Sequence, residues 1–251
     1  MLLEHQNAII YGAGGPIGGA VARAFAREGA TIHLAGRTLK SLDDVAERIR
    51  TAGGTAETAE VDALDEKAVD EHADAVAAAA GSIDISFNLI ARGEVMGQPL
   101  VEMRLEDFER PIRTAVRTIF LTSRAAARHM IKQGSGVILA FGGYGDPLPN
   151  LGGFQVAFGA VESLRRSLAC ELGPHGIRVV TLQTAGVPEA IPADFPAKAR
   201  EAITNDTVQR TMLNRAATLE DVGNVAAFAA SDLARTITGT AINITAGAVV
   251  D

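Results

Sequence analysis

Seven short apolar runs alternate with long amphipathic stretches, and this alternation limits the fold more than any other feature of the chain. The runs are Ala8–Tyr11, Thr31–Ala35, Thr58–Val61, Ile83–Asn88, Val137–Phe141, Ile177–Leu182 and Ala241–Ile244. Most are β-branched or apolar throughout, as strands buried on both faces are. The stretches between them carry helical patterns and helix-boundary residues. Ile17–Glu28 follows Pro16, Ser41–Ala52 ends at Gly53-Gly54, and Asp65–Ala80 ends at Gly81. Leu105–Gln133, Gln155–Leu172 and Leu219–Ser231 complete the set. Such alternation predicts an α/β chain, a seven-stranded parallel sheet with helices on both faces. No repeat, low-complexity tract or Gly/Ser linker divides residues 1–251, so one domain is expected. Residues 184–213 carry prolines and weak periodicity and read as an excursion of that domain, in the manner of a lid.

Composition narrows the class of function. Apolar residues make up 47% and charged residues 21%, which excludes global disorder. The formal charge is −7, which argues against nucleic acid as a partner, because phosphate binding needs clustered Lys and Arg. The single cysteine, Cys170, can form no internal disulfide; it fits a reducing compartment and leaves no Cys-based metal site. The stretch MLLEHQNAII lacks a basic segment before an apolar run, and no window is apolar enough to span a bilayer. A cytoplasmic protein is expected, away from membranes. His129 reads as a surface residue at a helix end and His33 as core or sheet surface. No His/Asp/Glu cluster has ligand spacing, so no metal is expected.

The first run leads into Tyr11-Gly12-Ala13-Gly14-Gly15-Pro16-Ile17-Gly18-Gly19. A glycine-rich turn between strand and helix lets backbone amides approach a phosphate, and the helix N-terminus adds partial positive charge. Gly12 and Gly14 fit G-x-G-x-x-G; Ile17 takes the third glycine's place and Gly18 comes one residue later. The same residues also suit a tight turn without a ligand, but five glycines in this context favour a dinucleotide. The second run ends in Ala35-Gly36-Arg37-Thr38, with no carboxylate for ribose hydroxyls. Arg37 suits a 2′-phosphate, or a solvated place at a helix start. Asp62 either accepts from an adenine amino group or caps the next helix.

With the C-terminal half these residues resemble the short-chain dehydrogenase/reductase family over almost the whole chain. The resemblance is carried by Ala160-Val161-Glu162-Ser163-Leu164 through Glu171-Leu172, by His175-Gly176-Ile177-Arg178-Val179, and by Thr218-Leu219-Glu220-Asp221-Val222 with Ser231-Asp232 and Ile237-Thr238-Gly239. Asp84-Ile85-Ser86-Phe87-Asn88 looks like the family's fourth strand. The likeness implies a doubly wound Rossmann-type domain, usually dimeric or tetrameric. It implies a nicotinamide cofactor across the strand ends and hydride transfer to or from a carbonyl or alcohol. The expected cofactor contacts are Gly12, Gly14, Gly15, Ile17, Gly18, Arg37, Thr38, Asp62, Asn88 and Val187. Arg37 makes NADP(H) the expected form.

The departures from the family pattern concern the chemistry. Alignment without gaps on Ala160–Leu172 puts the family's catalytic tyrosine at Phe154 and its lysine at Phe158. The serine falls on Gly142 or Gly143, and the asparagine of the preceding helix on Ala115. Pro16 stands where short-form members have glycine, and the loop fits Gly12-x-x-Gly15-x-x-Gly18 instead. Leu89-Ile90-Ala91 replaces the rest of the family's Asn-Asn-Ala-Gly, and Thr184-Ala185 its Pro-Gly. Glu189 replaces a threonine and is expected to face the phosphates, weakening the cofactor's hold unless paired. Phenylalanine neither donates a proton nor lowers a neighbour's pKa. A positioned general acid is worth roughly 10²–10⁴ in rate.

Three readings follow. The first is an NADP(H)-binding protein, or a holder of another small apolar ligand, without ordinary ketone or alcohol chemistry. The second is an active oxidoreductase with a non-standard proton donor, for which Tyr144 beside Gly142-Gly143 is the candidate. The third is a structural subunit pairing through residues 105–132 and 155–172 with an active relative. Wide apolar coverage of 155–172 predicts self-association, and the resemblance implies a homodimer or homotetramer.

Overall fold

The computed structural model describes residues 1–142 and 148–250. Seven parallel strands form one sheet in the order β3-β2-β1-β4-β5-β6-β7. They are β1 (Asn7–Tyr11), β2 (Thr31–Gly36), β3 (Thr55–Glu60), β4 (Ile85–Asn88), β5 (Gly136–Gly142), β6 (Ile177–Gln183) and β7 (Thr240–Asn243). The helices are α1 (Pro16–Arg27), α2 (Leu39–Thr51), α3 (Glu66–Ala80), α4 (Leu105–Gln133), α5 (Gly153–Leu172), α6 (Ala197–Gln209) and α7 (Leu219–Ala230).

The two-residue period of the strands divides the core. Ala8 and Ile10 of β1, with Ile32, Leu34, Val180 and Leu182, pack against Val21 and Phe25 of α1 and Val222 of α7. Ile9 and Tyr11, with Ile138 and Val179, face Val69 and Val76 of α3 and Leu121 and Met130 of α4. A third cluster joins Ala115 and Ile119 of α4 to Ala140 of β5 and Ala157 and Val161 of α5. Helix starts are fixed locally. Asp65 accepts from the amides of Lys67 and Ala68 ahead of α3, and Thr218 and Asp221 form a capping box on α7.

Two expectations change. The third strand begins at Thr55, three residues before the expected Thr58, and its sequence TAETAE is largely exposed. It pairs only with β2, and an edge strand needs no apolar run. The excursion at 184–213 contains a helix, α6, of 13 residues with only Thr207 buried. A helix that rests so lightly on the core leaves little apolar stripe to read.

The order of strands reverses between β1 and β4. In open α/β sheets the crevice at the carboxyl ends of such a pair receives the ligand. Tyr11 lies beside both Ala35 of β2 and Asn88 of β4, so the glycine turn, Arg37 and the loop after Asn88 open onto one edge.

Candidate functional site

The glycine turn is held from both sides. The amides of Gly12 and Ala13 donate to the Ala35 carbonyl at 2.8 and 3.4 Å. Gly12 has φ +79°, and a Cβ there would lie 2.6 Å from the Leu89 oxygen. A Cβ on Gly18 would lie 2.3 Å from the Gly12 oxygen, so α1 starts directly against the turn. These two glycines are demanded by packing within the chain. Gly15 is the N-cap of α1 and offers no side-chain acceptor. Among the described residues the amides of Gly14, Ile17 and Gly18 donate to no carbonyl of the turn. They are orphan donors at a helix N-terminus, the condition in which an anion is received.

The ribose end is open. Arg37 and Thr38 are exposed, and Thr38 is the N-cap of α2. Ser41 Oγ donates to the Thr38 carbonyl at 2.9 Å and fills the space beside Gly14. Arg37 forms no ion pair among the described residues, so its charge is available to a ligand.

Asp62 is exposed and does not cap α3, contrary to one of its two expected roles. Its Oδ1 accepts from Leu64 N at 3.0 Å in a local turn, and Asp65 makes the cap. The helix begins at Glu66, three residues later than a cap at Asp62 would start it. Asp62 lines a hollow of about 700 Å³ with Leu64, Asp65, Glu66, Lys67, Asp70 and Arg117.

Asn88 is buried and both its amide nitrogen and its amide oxygen are hydrogen-bonded. Nδ2 donates to Thr122 Oγ1 at 3.2 Å and Oδ1 accepts from Ile90 N at 3.3 Å. It therefore positions the loop after β4 against α4. Val187 is buried at the rim of the core, and Ala190 N donates to its carbonyl at 2.8 Å. Glu189 corrects another expectation. Its Oε2 accepts from Leu219 N at 2.8 Å, so the carboxylate sits on the positive end of α7.

Phe154 and Phe158 lie one turn apart on α5 with ring centroids 4.3 Å apart and planes tilted by 55°. Gly142, at the end of β5, abuts Phe158: a Cβ there would be 3.5 Å from Phe158 Cδ1. Ala115 is buried in the α4–α5 cluster. The four positions singled out by alignment thus form an apolar wall where Phe154, Phe158 and Gly142 meet, with Ala115 behind in the core. Gly143 and Tyr144 lie outside the described residues.

Arg92, on the loop after β4, crosses this wall. Its guanidinium carbon is 4.6 Å from the centroid of the Phe158 ring and 5.8 Å from that of Phe154. Its Nη2 donates to the Phe141 carbonyl. Desolvation pushes the guanidinium down to about 10, partly opposed by the charge of Glu94. The group stays cationic at neutral pH. Stacking of a desolvated cation on an aromatic face returns about 2 kcal/mol or more, against a desolvation cost of several kcal/mol per ion. Sequence comparison along Asn88-Leu89-Ile90-Ala91 stops one residue short of it. The signal was a basic residue in the loop at the reversal of strand order.

No group of His, Cys, Asp and Glu among the described residues is arranged to hold a metal ion. No helix among them is long and apolar enough to cross a membrane.

Comparison with known proteins agrees with this geometry. The family model described as enoyl-(acyl carrier protein) reductase matches residues 12–248. Cis-4-hydroxycyclohexanecarboxylate dehydrogenase of Sinomonas cyclohexanicum is 31% identical over 96% of this chain and 95% of its own length. Gluconate 5-dehydrogenase of Gluconobacter oxydans is 29% identical over 99% and 96%. The crystal structure of a putative short-chain alcohol dehydrogenase from Sinorhizobium meliloti superposes with a TM-score of 0.88 at 26% identity, covering 98% of this chain and 97% of that one. A family match across nearly the whole sheet, and named relatives aligned end to end, place this chain in the short-chain dehydrogenase/reductase family.

Proposed function

We propose that this protein binds NADP(H) at the carboxyl edge of its sheet and does not carry out ordinary ketone reduction or alcohol oxidation. The observation that carries the reading is the Phe154–Phe158 pair with Arg92 stacked on it. An alkoxide formed there would meet no phenol or ammonium from α5. The orphan amides ahead of α1 are the donor set for the pyrophosphate, and Arg37 supplies the cation that favours a 2′-phosphate. Gly12, Gly14, Gly15, Ile17 and Gly18 shape the turn. Thr38 and Asp62 border the adenosine end, while Asn88 and Val187 hold the loops on either side of the nicotinamide. Withdrawal of Glu189 to α7 removes the repulsion that its charge would exert on phosphates.

The reading includes one domain over 1–251, residence in the cytoplasm, and self-association as a homodimer or homotetramer. The last is supported by exposed Phe120 and Ile131 on α4 and Val156 on α5. An active oxidoreductase is the second reading, favoured by the dehydrogenase names of the relatives and by a guanidinium placed to stabilise an oxyanion. Tyr144 is then the proton donor.

Calorimetric titration with NADPH and NADH, and a carbonyl panel assayed with both, test the proposal. Binding of NADPH with no turnover above background is expected. Robust turnover lost in Tyr144→Phe would install the second reading, and absence of any dinucleotide binding would defeat both.

A further inference from the structure

We infer that Arg92 makes the cleft an anion site whose occupant is a small carboxylate with an apolar body, the carboxylate meeting the guanidinium and the body lying along Phe154 and Phe158. The inference rests on the reading that the cleft binds a small molecule, and it names that molecule's class.

Three features of the geometry lead to it. Among the described residues Arg92 uses one of its five N–H donors, through the bond from Nη2 to the Phe141 carbonyl. No carboxylate among the described residues forms an ion pair with it; Glu94 pulls on it electrostatically without contact. Yet the residue remains partly accessible, so the remaining donors can be reached. The guanidinium carbon lies over two aromatic rings, 4.6 and 5.8 Å from their centroids, so an acceptor must come from the side the rings leave open. Arginine presents paired donors that match the two oxygens of a carboxylate.

The surroundings select against other occupants. A neutral polar ligand would leave the cation uncompensated in a desolvated setting. A purely apolar one would bury it further. The dinucleotide's own phosphates are served elsewhere, by the amides of Gly14, Ile17 and Gly18 ahead of α1. The anion for Arg92 is therefore that of a second molecule.

Benzoate and its neutral isostere benzamide are the probes, titrated into the full chain by calorimetry, alone and with NADPH present. Benzoate is expected to bind at least about tenfold more tightly than benzamide. Arg92→Met should lose benzoate by at least about tenfold, and Arg92→Lys should retain part of the affinity. Because a variant can fail to fold, the arginine Nε–H resonance of Arg92 in the unaltered protein supplies a second measurement: benzoate moves it and benzamide does not. NADPH affinity should stay within about threefold in Arg92→Met. Equal affinity for the two probes, no binding of either, or benzoate binding untouched by Arg92→Met overturns the inference. So does a large loss of NADPH affinity in Arg92→Met, which would make the cofactor phosphate the anion. If benzoate discriminates but NADPH does not bind, the carboxylate site stands and the dinucleotide reading falls.

Discussion

The carboxylate of Glu189 accepts the amide of Leu219 at 2.8 Å, fastening the loop after β6 to the first turn of α7. The bond satisfies one orphan donor of that helix and sets a negative charge on its positive end. Glu189→Ala should lower stability by about 1 kcal/mol, as loss of a helix cap does. NADPH affinity should change by no more than about threefold, because the carboxylate is held on the Leu219 amide. Urea unfolding and calorimetry check the two halves separately. A large gain in NADPH affinity would show that the carboxylate faces the cofactor after all.

Arg37 is exposed at the end of β2 and forms no ion pair among the described residues. A charge-assisted bond to a 2′-phosphate is worth about 1.5–3 kcal/mol. Arg37→Ala should therefore weaken NADPH by about tenfold or more and leave NADH almost unchanged. Equal losses for both cofactors would place Arg37 outside the 2′ site.

A tyrosine at 154 and a lysine at 158 would meet Arg92. Phe158→Lys would bring an ammonium to the place where Arg92 already lies 4.6 Å from the ring centroid. Two like charges about 5 Å apart repel by about 3 kcal/mol at an effective dielectric of 20. Phe154→Tyr with Phe158→Lys should be destabilised by that order and show no ketone turnover. Adding Arg92→Ala should recover most of the lost stability. A double-mutant cycle on melting in urea measures the coupling, and additivity would contradict it.

Acid should unfold the protein partly through His72. Its ring lies 5.9 Å from Tyr11 in an edge-on arrangement, and burial lowers its pKa from 6.5 to about 4. His33 is lowered in the same direction by the same cause. A depressed folded-state value means that the unfolded chain takes up the proton first. Stability is then complete above pH 6.5 and declines as pH falls toward 4. The residue is only half-buried, so the decline from His72 is about 2 kcal/mol, less than the full shift gives. His72→Leu should flatten this limb in urea midpoints taken from pH 7.5 to 4.5. Parallel curves for the two proteins would remove His72 from the account.

The strand runs were legible because central strands in a parallel sheet are buried on both faces, and the five inner strands fit that rule closely. The two edge strands do not: TAETAE was caught only at its end, and Thr240–Asn243 has no buried residue. The glycine turn was legible because Gly12 and Gly18 have no room for a side chain. The roles of Asp62 and Glu189 were not, since each is decided by which amide lies nearby. Leu219, the partner of Glu189, comes thirty residues later in the chain. Arg92 escaped for a similar reason. A lone arginine in a loop reads as solvated until Phe141, Phe154 and Phe158 are gathered around it from β5 and α5. The helix at Ala197–Gln209 escaped because only Thr207 is buried along it.

Asn88 ties the loop of Arg92 to Thr122 of α4, and Thr122 Oγ1 in turn donates to the Thr118 carbonyl. Between those two threonines, on the outer side of the same turn, is Phe120, 44% exposed and covered in part by Arg124. One helical turn thus carries an outward apolar contact and an inward anchor for the ligand-facing loop. Any subunit that settles on Phe120 presses on the rung from which Ile90 and Arg92 are hung. A second copy settling on Phe120, as proposed above, would therefore bear on the same helical turn that anchors the loop after β4 through Asn88.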